Sequence, residues 1–258
     1  MHDARGEIIV FVRAPAPGTV KTRLAPVLTP QEATDLYRAF VADGLETAGR
    51  IGCPVTVAFT PAGAEAQVRA WLGGSFRYRP QRGPDLGRRM AASLRQAFDD
   101  GARWALIVGS DLPDLPDGRL EEAAREARRT GAVLGPSHDG GYYLIGFRAD
   151  RFTPAAFRGI EWGGAQVARR TLAALRGAGV AVHRLPPWRD VDTPEDLADL
   201  CRRLAQHPHT APRTRQWLRH AGRAAGSTIV KRHRLCLDGE AIEPTQRRPP
   251  RPQDREGT

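Results

Sequence analysis

Lysine is almost missing from this chain. Of 39 basic residues, only Lys21 and Lys231 are lysine; the other 37 are arginine. A compact ammonium on a flexible stem does not substitute for a guanidinium fork, or the reverse. Lys21 therefore marks a place where the chain departs from its own habit. Cysteine is scarce too. Cys53, Cys201 and Cys236 lie far apart, with no CxxC pair. That excludes a zinc spacing and a disulfide framework, and leaves reduced, structural thiols. No apolar run reaches 18 residues, so no membrane-spanning helix is expected. The opening MHDARGEIIVFV places acids before a very short apolar run, with no small-residue cleavage site after it. A cytoplasmic protein is the expectation.

What is present is an uneven positive charge. The net charge is +10, and +6 of it lies in residues 206–258. Such a tail could touch nucleic acid or a membrane surface. No aromatic interleaving and no nucleic-acid motif accompanies it, so a soluble, arginine-rich appendage is expected instead. Its end, PTQRRPPRPQDREGT, is proline-rich and charged and reads as disordered. With 258 residues and 41% hydrophobic content, the chain can bury one domain of about 200 residues. The expected division is 1–207 for that domain and 208–258 for the tail.

Strand and helix patterns alternate along the domain. EIIVFV, PVTVAFT and WALIVGSD are continuous apolar runs of the kind buried on both faces of a sheet, and FRYRPQ and VAVHRLPPW are further strands. AVLGPSHDGGYYLIGF predicts two short strands around a glycine turn. Thr29-Pro30-Gln31-Glu32 and Thr193-Pro194-Glu195-Asp196 predict helix starts, each with a threonine cap and an acid in the first turn. WLRHAGRAAG is a candidate helix and STIVKRHRLCL a candidate strand in the tail. The alternation predicts an α/β sandwich with a mainly parallel sheet.

Ligands gather at the carboxyl ends of strands in such sheets, and four segments there are unusual. The loop after the first strand contains Pro15, Pro17 and Gly18, then Lys21 and Arg23, two cations suited to a phosphate chain. It is no Walker loop, because Val20 stands where a glycine should. Asp111 ends a buried apolar strand, where packing does not explain it. It fits a Mg²⁺ or Mn²⁺ ligand bridging phosphate oxygens, with nearby Asp114 the better helix cap. Asp139 stands beside a glycine pair and Tyr142-Tyr143. It suits a general base near a hydroxyl acceptor, with the tyrosines as a pocket wall. Asp190 and Asp192 precede a helix cap, and either could supply a second metal carboxylate.

FVRAPAPGTVKTRLAP, QRGPDLGRRM, GSDLPDL, GPSHDGGYYLIGF, IEWGG and DVDTPEDL follow one another in this order. Together they resemble the bacterial radical-SAM/selenodomain-associated glycosyltransferases over roughly residues 7–203. More distantly they are similar to phospholactate and molybdenum-cofactor guanylyltransferases. The resemblance implies a GT-A-like, three-layer nucleotide-diphospho-sugar transferase fold. It implies a nucleotide-sugar or nucleoside triphosphate substrate, a small-molecule acceptor and a Mg²⁺ or Mn²⁺ cofactor. By position, Pro17, Gly18, Lys21 and Arg23 are implied to hold phosphates, with Asp111 and Asp192 on the metal. Gly83, Asp85, Leu86 and Gly87 are implied to line the nucleotide or substrate pocket. Gly140, Gly141, Tyr142 and Trp162 are implied near the acceptor. After Trp162 the family has glycine then threonine; this chain has Gly163-Gly164. Three functions follow as expectations: a glycosyltransferase with Asp139 as base, a guanylyl- or cytidylyl-type nucleotidyltransferase with Lys21 and Arg23 on the leaving pyrophosphate, or a non-catalytic binding module working through its tail.

Overall fold

The apolar runs become parallel strands because both of their faces are covered. The computed structural model describes residues 5–224. The strands are β1 (Gly6–Arg13), β2 (Val55–Thr60), β3 (Arg77–Pro80), β4 (Trp104–Val108), β5 (Ala132–Pro136), β6 (Tyr142–Arg148) and β7 (Val182–Arg184). They form one seven-stranded sheet in the order β3-β2-β1-β4-β6-β5-β7. β6 runs antiparallel to both β4 and β5, and the remaining pairs are parallel. β7 is shorter than VAVHRLPPW predicts. Pro186 and Pro187 cannot donate to a ladder, and pairing resumes only as an isolated bridge between Ser137 and Trp188.

The helices are α1 (Pro30–Gly49), α2 (Glu65–Leu72), α3 (Leu86–Asp99), α4 (Asp117–Thr130), α5 (Val167–Gly177), α6 (Pro194–Gln206) and α7 (Pro212–Ala224). Alternate residues of β1 face opposite layers. Ile8, Val10 and Val12 pack with Tyr37 and Val41 of α1 and Leu120 of α4. Ile9 packs with Met90 and Leu94 of α3. The sandwich is thus the mixed α/β fold that the alternation predicts.

A third cluster fixes the geometry that matters for function. Leu24 from the opening loop, Leu36 and Phe40 of α1, Val191, and Leu200 and Leu204 of α6 pack together. Leu24 and Val191 are fully buried in it. The anchoring of both residues in one cluster draws the segment around Lys21 against the segment around Asp192. α7 completes this cluster through Leu218. It is therefore part of the packed body, although it falls beyond the boundary expected at residue 207. The expected strand STIVKRHRLCL and the proline-rich end lie outside the described residues.

Candidate active site

β1 ends at Arg13, and the chain turns through Pro15, Pro17 and Gly18 before re-entering the molecule at Lys21. Lys21 has a left-handed backbone, φ 50°, just before a 3₁₀ turn at Thr22–Leu24. That conformation is unfavourable for a residue with a side chain. It is held by burial of Leu24 on one side and by ion pairing of the lysine on the other. The Lys21 ammonium lies 2.6 Å from Asp111 Oδ1 and 3.0 Å from Asp192 Oδ1. Its side chain is 3% exposed, against 35% for Asp111 and 43% for Asp192. It also lies over the Phe40 ring, 5.8 Å from the centroid. Burial pushes the Lys21 pKa down, but Asp111 and Asp192 outweigh it and hold the pKa above the ordinary lysine value.

Asp111 lies three residues past the end of β4 at Val108. Its carbonyl accepts from Val191 N at 3.0 Å, which ties the late loop to the strand end. Next to it, Ser110 Oγ lies 3.1 Å from the Tyr37 hydroxyl, which accepts from Arg13 N at 2.9 Å. Burial, then the Asp111 charge, pushes the Tyr37 hydroxyl up to about 12, so this phenol stays protonated. A cleft of about 310 Å³ opens here, lined by Lys21, Tyr37, Asp111 and Asp192 and by the cations Arg13 and Arg89.

A second cavity of about 250 Å³ adjoins it on the β6 side. Tyr142 and Trp162 form one wall, edge to face with centroids 6.3 Å apart. Asp139 and Asp190 supply its carboxyl groups. Asp139 sits at the corner between β5 and β6 and accepts from Gly141 N at 2.9 Å. Asp190 is pushed up to about 7 by burial first, then by Asp111, Asp139 and Asp192. Leu86 lines both the cleft and the cavity. Among the described residues it is the one large apolar side chain that is exposed, at 43%.

Several expected residues sit elsewhere. Arg23 is exposed and does not line the cleft. In a 3₁₀ turn, residues three apart eclipse, so burying Lys21 and Leu24 on one side turns Arg23 away. Pro17 and Gly18 form an exposed loop tip. Asp85 caps α3, accepting from Arg88 N at 2.7 Å. Gly83 packs against that helix start, where a Cβ would lie 2.7 Å from Arg88 Cβ. Gly87 is buried under the aromatic wall; a Cβ there would lie 2.4 Å from the Trp162 ring. Gly140 is required by its turn, with φ 92° and no room for a Cβ against the Ala165 carbonyl. Asp114 is not a cap. Pro116 occupies the cap position of α4, and Asp114 is buried in an ion pair with Arg203, 2.6 Å away. Arg13, Tyr37, Ser110 and Arg89 carried no sequence signal. Two are arginines in an arginine-rich chain, and Tyr37 reads as an ordinary core position of an amphipathic helix.

The oxygen-only donors Asp111 and Asp192 suit a hard divalent cation. Among the described residues no group of three or more His, Cys, Asp or Glu converges closely enough to hold a metal. Two carboxylates, completed by phosphate oxygens and water, still make an adequate Mg²⁺ site. The residues present fit that group on those terms. Among the described residues no helix is long and apolar enough to cross a membrane.

Residues 44–164 match the family described as an uncharacterized protein conserved in bacteria, DUF2064. A phosphoenolpyruvate guanylyltransferase of Mycolicibacterium paratuberculosis is 30% identical over 218 residues, spanning 81% of this chain and 93% of that protein. One from Roseiflexus castenholzii is 30% identical over 195 residues, spanning 74% of this chain and 85% of that protein. A crystal structure of a candidate nucleotide-diphospho-sugar transferase from Desulfovibrio desulfuricans G20 superposes with a TM-score of 0.78 at 35% identity. It covers 93% of this chain and 100% of its own. With its relatives named as transferases and its fold that of a nucleotide-diphospho-sugar transferase, the chain is distantly related to the phosphoenolpyruvate guanylyltransferases, and its residues 44–164 match DUF2064.

Proposed function

We propose that the protein is a metal-dependent glycosyltransferase that takes a nucleotide-diphospho-sugar and passes the sugar to a small acceptor. The observation that carries this reading is the Asp111–Lys21–Asp192 array at the strand ends. An ammonium and two carboxylates at the ends of the strands suit a diphosphate with its Mg²⁺ or Mn²⁺. Asp111 and Asp192 would hold the metal, which when bound neutralises charge on the leaving diphosphate. Lys21 would move from the carboxylates to phosphate oxygens, joined by the guanidinium groups of Arg13 and Arg89 in the same cleft. Removing one such preorganised charge typically costs about 3 kcal/mol of transition-state stabilisation.

In this scheme the bond from the sugar's anomeric carbon to the diphosphate oxygen breaks, and a bond to the acceptor oxygen forms. The acceptor proton passes to Asp139, which lines the adjoining cavity. The nucleoside diphosphate leaves with both electrons of the broken bond. Nucleotidyl transfer is the second reading, favoured by the relatives named phosphoenolpyruvate guanylyltransferase. There, the same array would serve a triphosphate and the leaving group would be pyrophosphate.

The test is product identity. The protein is incubated with Mn²⁺ and a set of small acceptors, in parallel with nucleotide-diphospho-sugars or with the four common nucleoside triphosphates. Release of a nucleoside diphosphate supports glycosyl transfer, and release of pyrophosphate supports the second reading. Failure of every nucleotide to bind in the presence of Mn²⁺ would remove both.

A further inference from the structure

We infer that the acceptor is a neutral or positively charged molecule with a flat, apolar body and a hydroxyl or amine nucleophile, and that anionic acceptors are rejected. This deepens the transferase reading and rests on it, because it assigns the second cavity to the acceptor.

Acidic groups dominate the polar lining of that cavity. Its charged or titratable side chains, apart from the tyrosine hydroxyls, are the carboxyl groups of Asp139 and Asp190. No lysine, arginine or histidine lines it. The cations of the site line the neighbouring cleft, where the transferase reading assigns them to the donor's phosphates. Lys21 is held between Asp111 and Asp192. Arg13 Nη1 donates to the Thr19 carbonyl at 3.2 Å, and Arg89 Nε donates to the Gly83 carbonyl at 3.0 Å. A phosphate or carboxylate entering the cavity would meet the Asp139 and Asp190 carboxyl groups with no cation in the lining to receive it. Like-charge juxtaposition in a partly desolvated site opposes binding and selects against the wrong partner. Phosphoenolpyruvate, the compound in the relatives' name, carries both groups and has no apolar body.

The rest of the lining says what does fit. Phe11, Met90, Ile107 and Val167 are apolar, and Tyr142 and Trp162 present aromatic surface. Aromatic walls favour stacked rings and attract cations over their faces. Leu86, exposed at the junction with the cleft, gives such a body more apolar surface on entry. The polar end, Ser137 with Asp139 and Asp190, can accept from a hydroxyl or amine and orient it towards the donor. At about 250 Å³ the cavity suits a single-ring molecule rather than a polymer end.

The experiment uses four probes that separate charge from shape: tyramine, tyrosol, 4-hydroxyphenylacetate and phosphoenolpyruvate. Binding to the full chain is measured by ligand-observed NMR and by indole fluorescence. Tyramine and tyrosol should bind at least about ten-fold more tightly than either anion, since like charges inside a binding site discriminate strongly. The doubly substituted Asp139→Asn, Asp190→Asn protein should lose most of that preference. Trp162→Ala should weaken tyramine and tyrosol alike. Equal or tighter binding of 4-hydroxyphenylacetate or phosphoenolpyruvate overturns the inference, as does binding of none of the four at millimolar concentration. Nucleotide binding with Mn²⁺ is followed separately. If it fails while the charge preference persists, the transferase reading falls and the selectivity of the cavity stands.

Discussion

Removing the Lys21 ammonium leaves the Asp111 and Asp192 carboxylates facing one another without their shared cation. Two such groups then accept a divalent ion more readily, because the ion no longer displaces a paired ammonium. Lys21→Met should therefore raise the Mn²⁺ affinity of the nucleotide-free protein by about ten-fold, a modest figure because both acids are partly solvated. Affinity for a nucleoside diphosphate should fall in the same protein. Titration calorimetry reads both; a parallel loss of both would mean that Lys21 only holds its loop. Asp111→Asn should abolish the metal-dependent part of nucleotide binding while leaving weak metal-free binding in place. Unchanged metal dependence in that variant would take Asp111 out of the site. Lys21 and Asp111 were legible because each breaks a local pattern, a lone lysine among arginines and an acid ending a buried strand. Asp192 needed the family resemblance, since Asp190 shares its side of the extended segment. Arg23 misled because spacing of two looks like convergence, whereas a 3₁₀ turn separates the two side chains.

Helix starts written in local code were readable, and those completed from afar were not. Thr29 with Glu32 and Thr193 with Asp196 form complete capping boxes, each within four residues. The cap of α7 comes from α1. Asp43, 2% exposed, accepts from Arg213 N at 3.1 Å and Thr214 N at 2.8 Å. No window of sequence contains both partners, so α7 reads as an appendage. Asp43→Ala should lower stability by about 2 kcal/mol, the upper range for losing a buried cap and its helix-dipole contact. Asp43→Asn should recover part of it, as urea unfolding would show; no loss in either variant would mean that α7 docks by apolar packing alone. The contact between α3 and the Trp162 loop is similarly non-local. Gly87→Ala places a methyl 2.4 Å from the indole and 2.8 Å from the Phe157 carbonyl, and the backbone partner cannot swing aside. Overpacking of that kind costs about 1–3 kcal/mol. The expected outcome is weakened binding in the aromatic cavity with nucleotide binding intact, checked by tyrosol and nucleotide titrations on one sample.

The strand order explains why cleft and cavity meet where they do. The strand order turns back between parallel β1 and β4, which opens a crevice at their carboxyl ends, and β6 enters antiparallel beside β4. The parallel side contributes Lys21 and Arg13 from β1 and its following loop, and Arg89 from α3. The antiparallel side, β5 and β6, contributes Asp139 and the aromatic wall. The segment 188–193 crosses at the top and brings Asp190 to one and Asp192 to the other. That crossing is held down by the cluster of Leu24, Phe40, Val191 and Leu200, to which α7 adds Leu218. Two truncations separate the body from the tail on this basis. Ending the chain after residue 224 removes seven basic and five acidic residues, a net +2 of the +10, but no described contact, and should leave both the unfolding midpoint and nucleotide affinity unchanged. Ending it after residue 207 uncovers Leu200 and Phe40 and strips the partners of Asp43. A buried carboxylate without partners and an exposed apolar face each carry a penalty. The shorter protein should be less stable and, because the same cluster seats Lys21 against Asp192, should bind nucleotide more weakly at a site the deleted residues never touch. Equal behaviour of the two truncations would mean that the packing of α7 is not what holds the late acid in place.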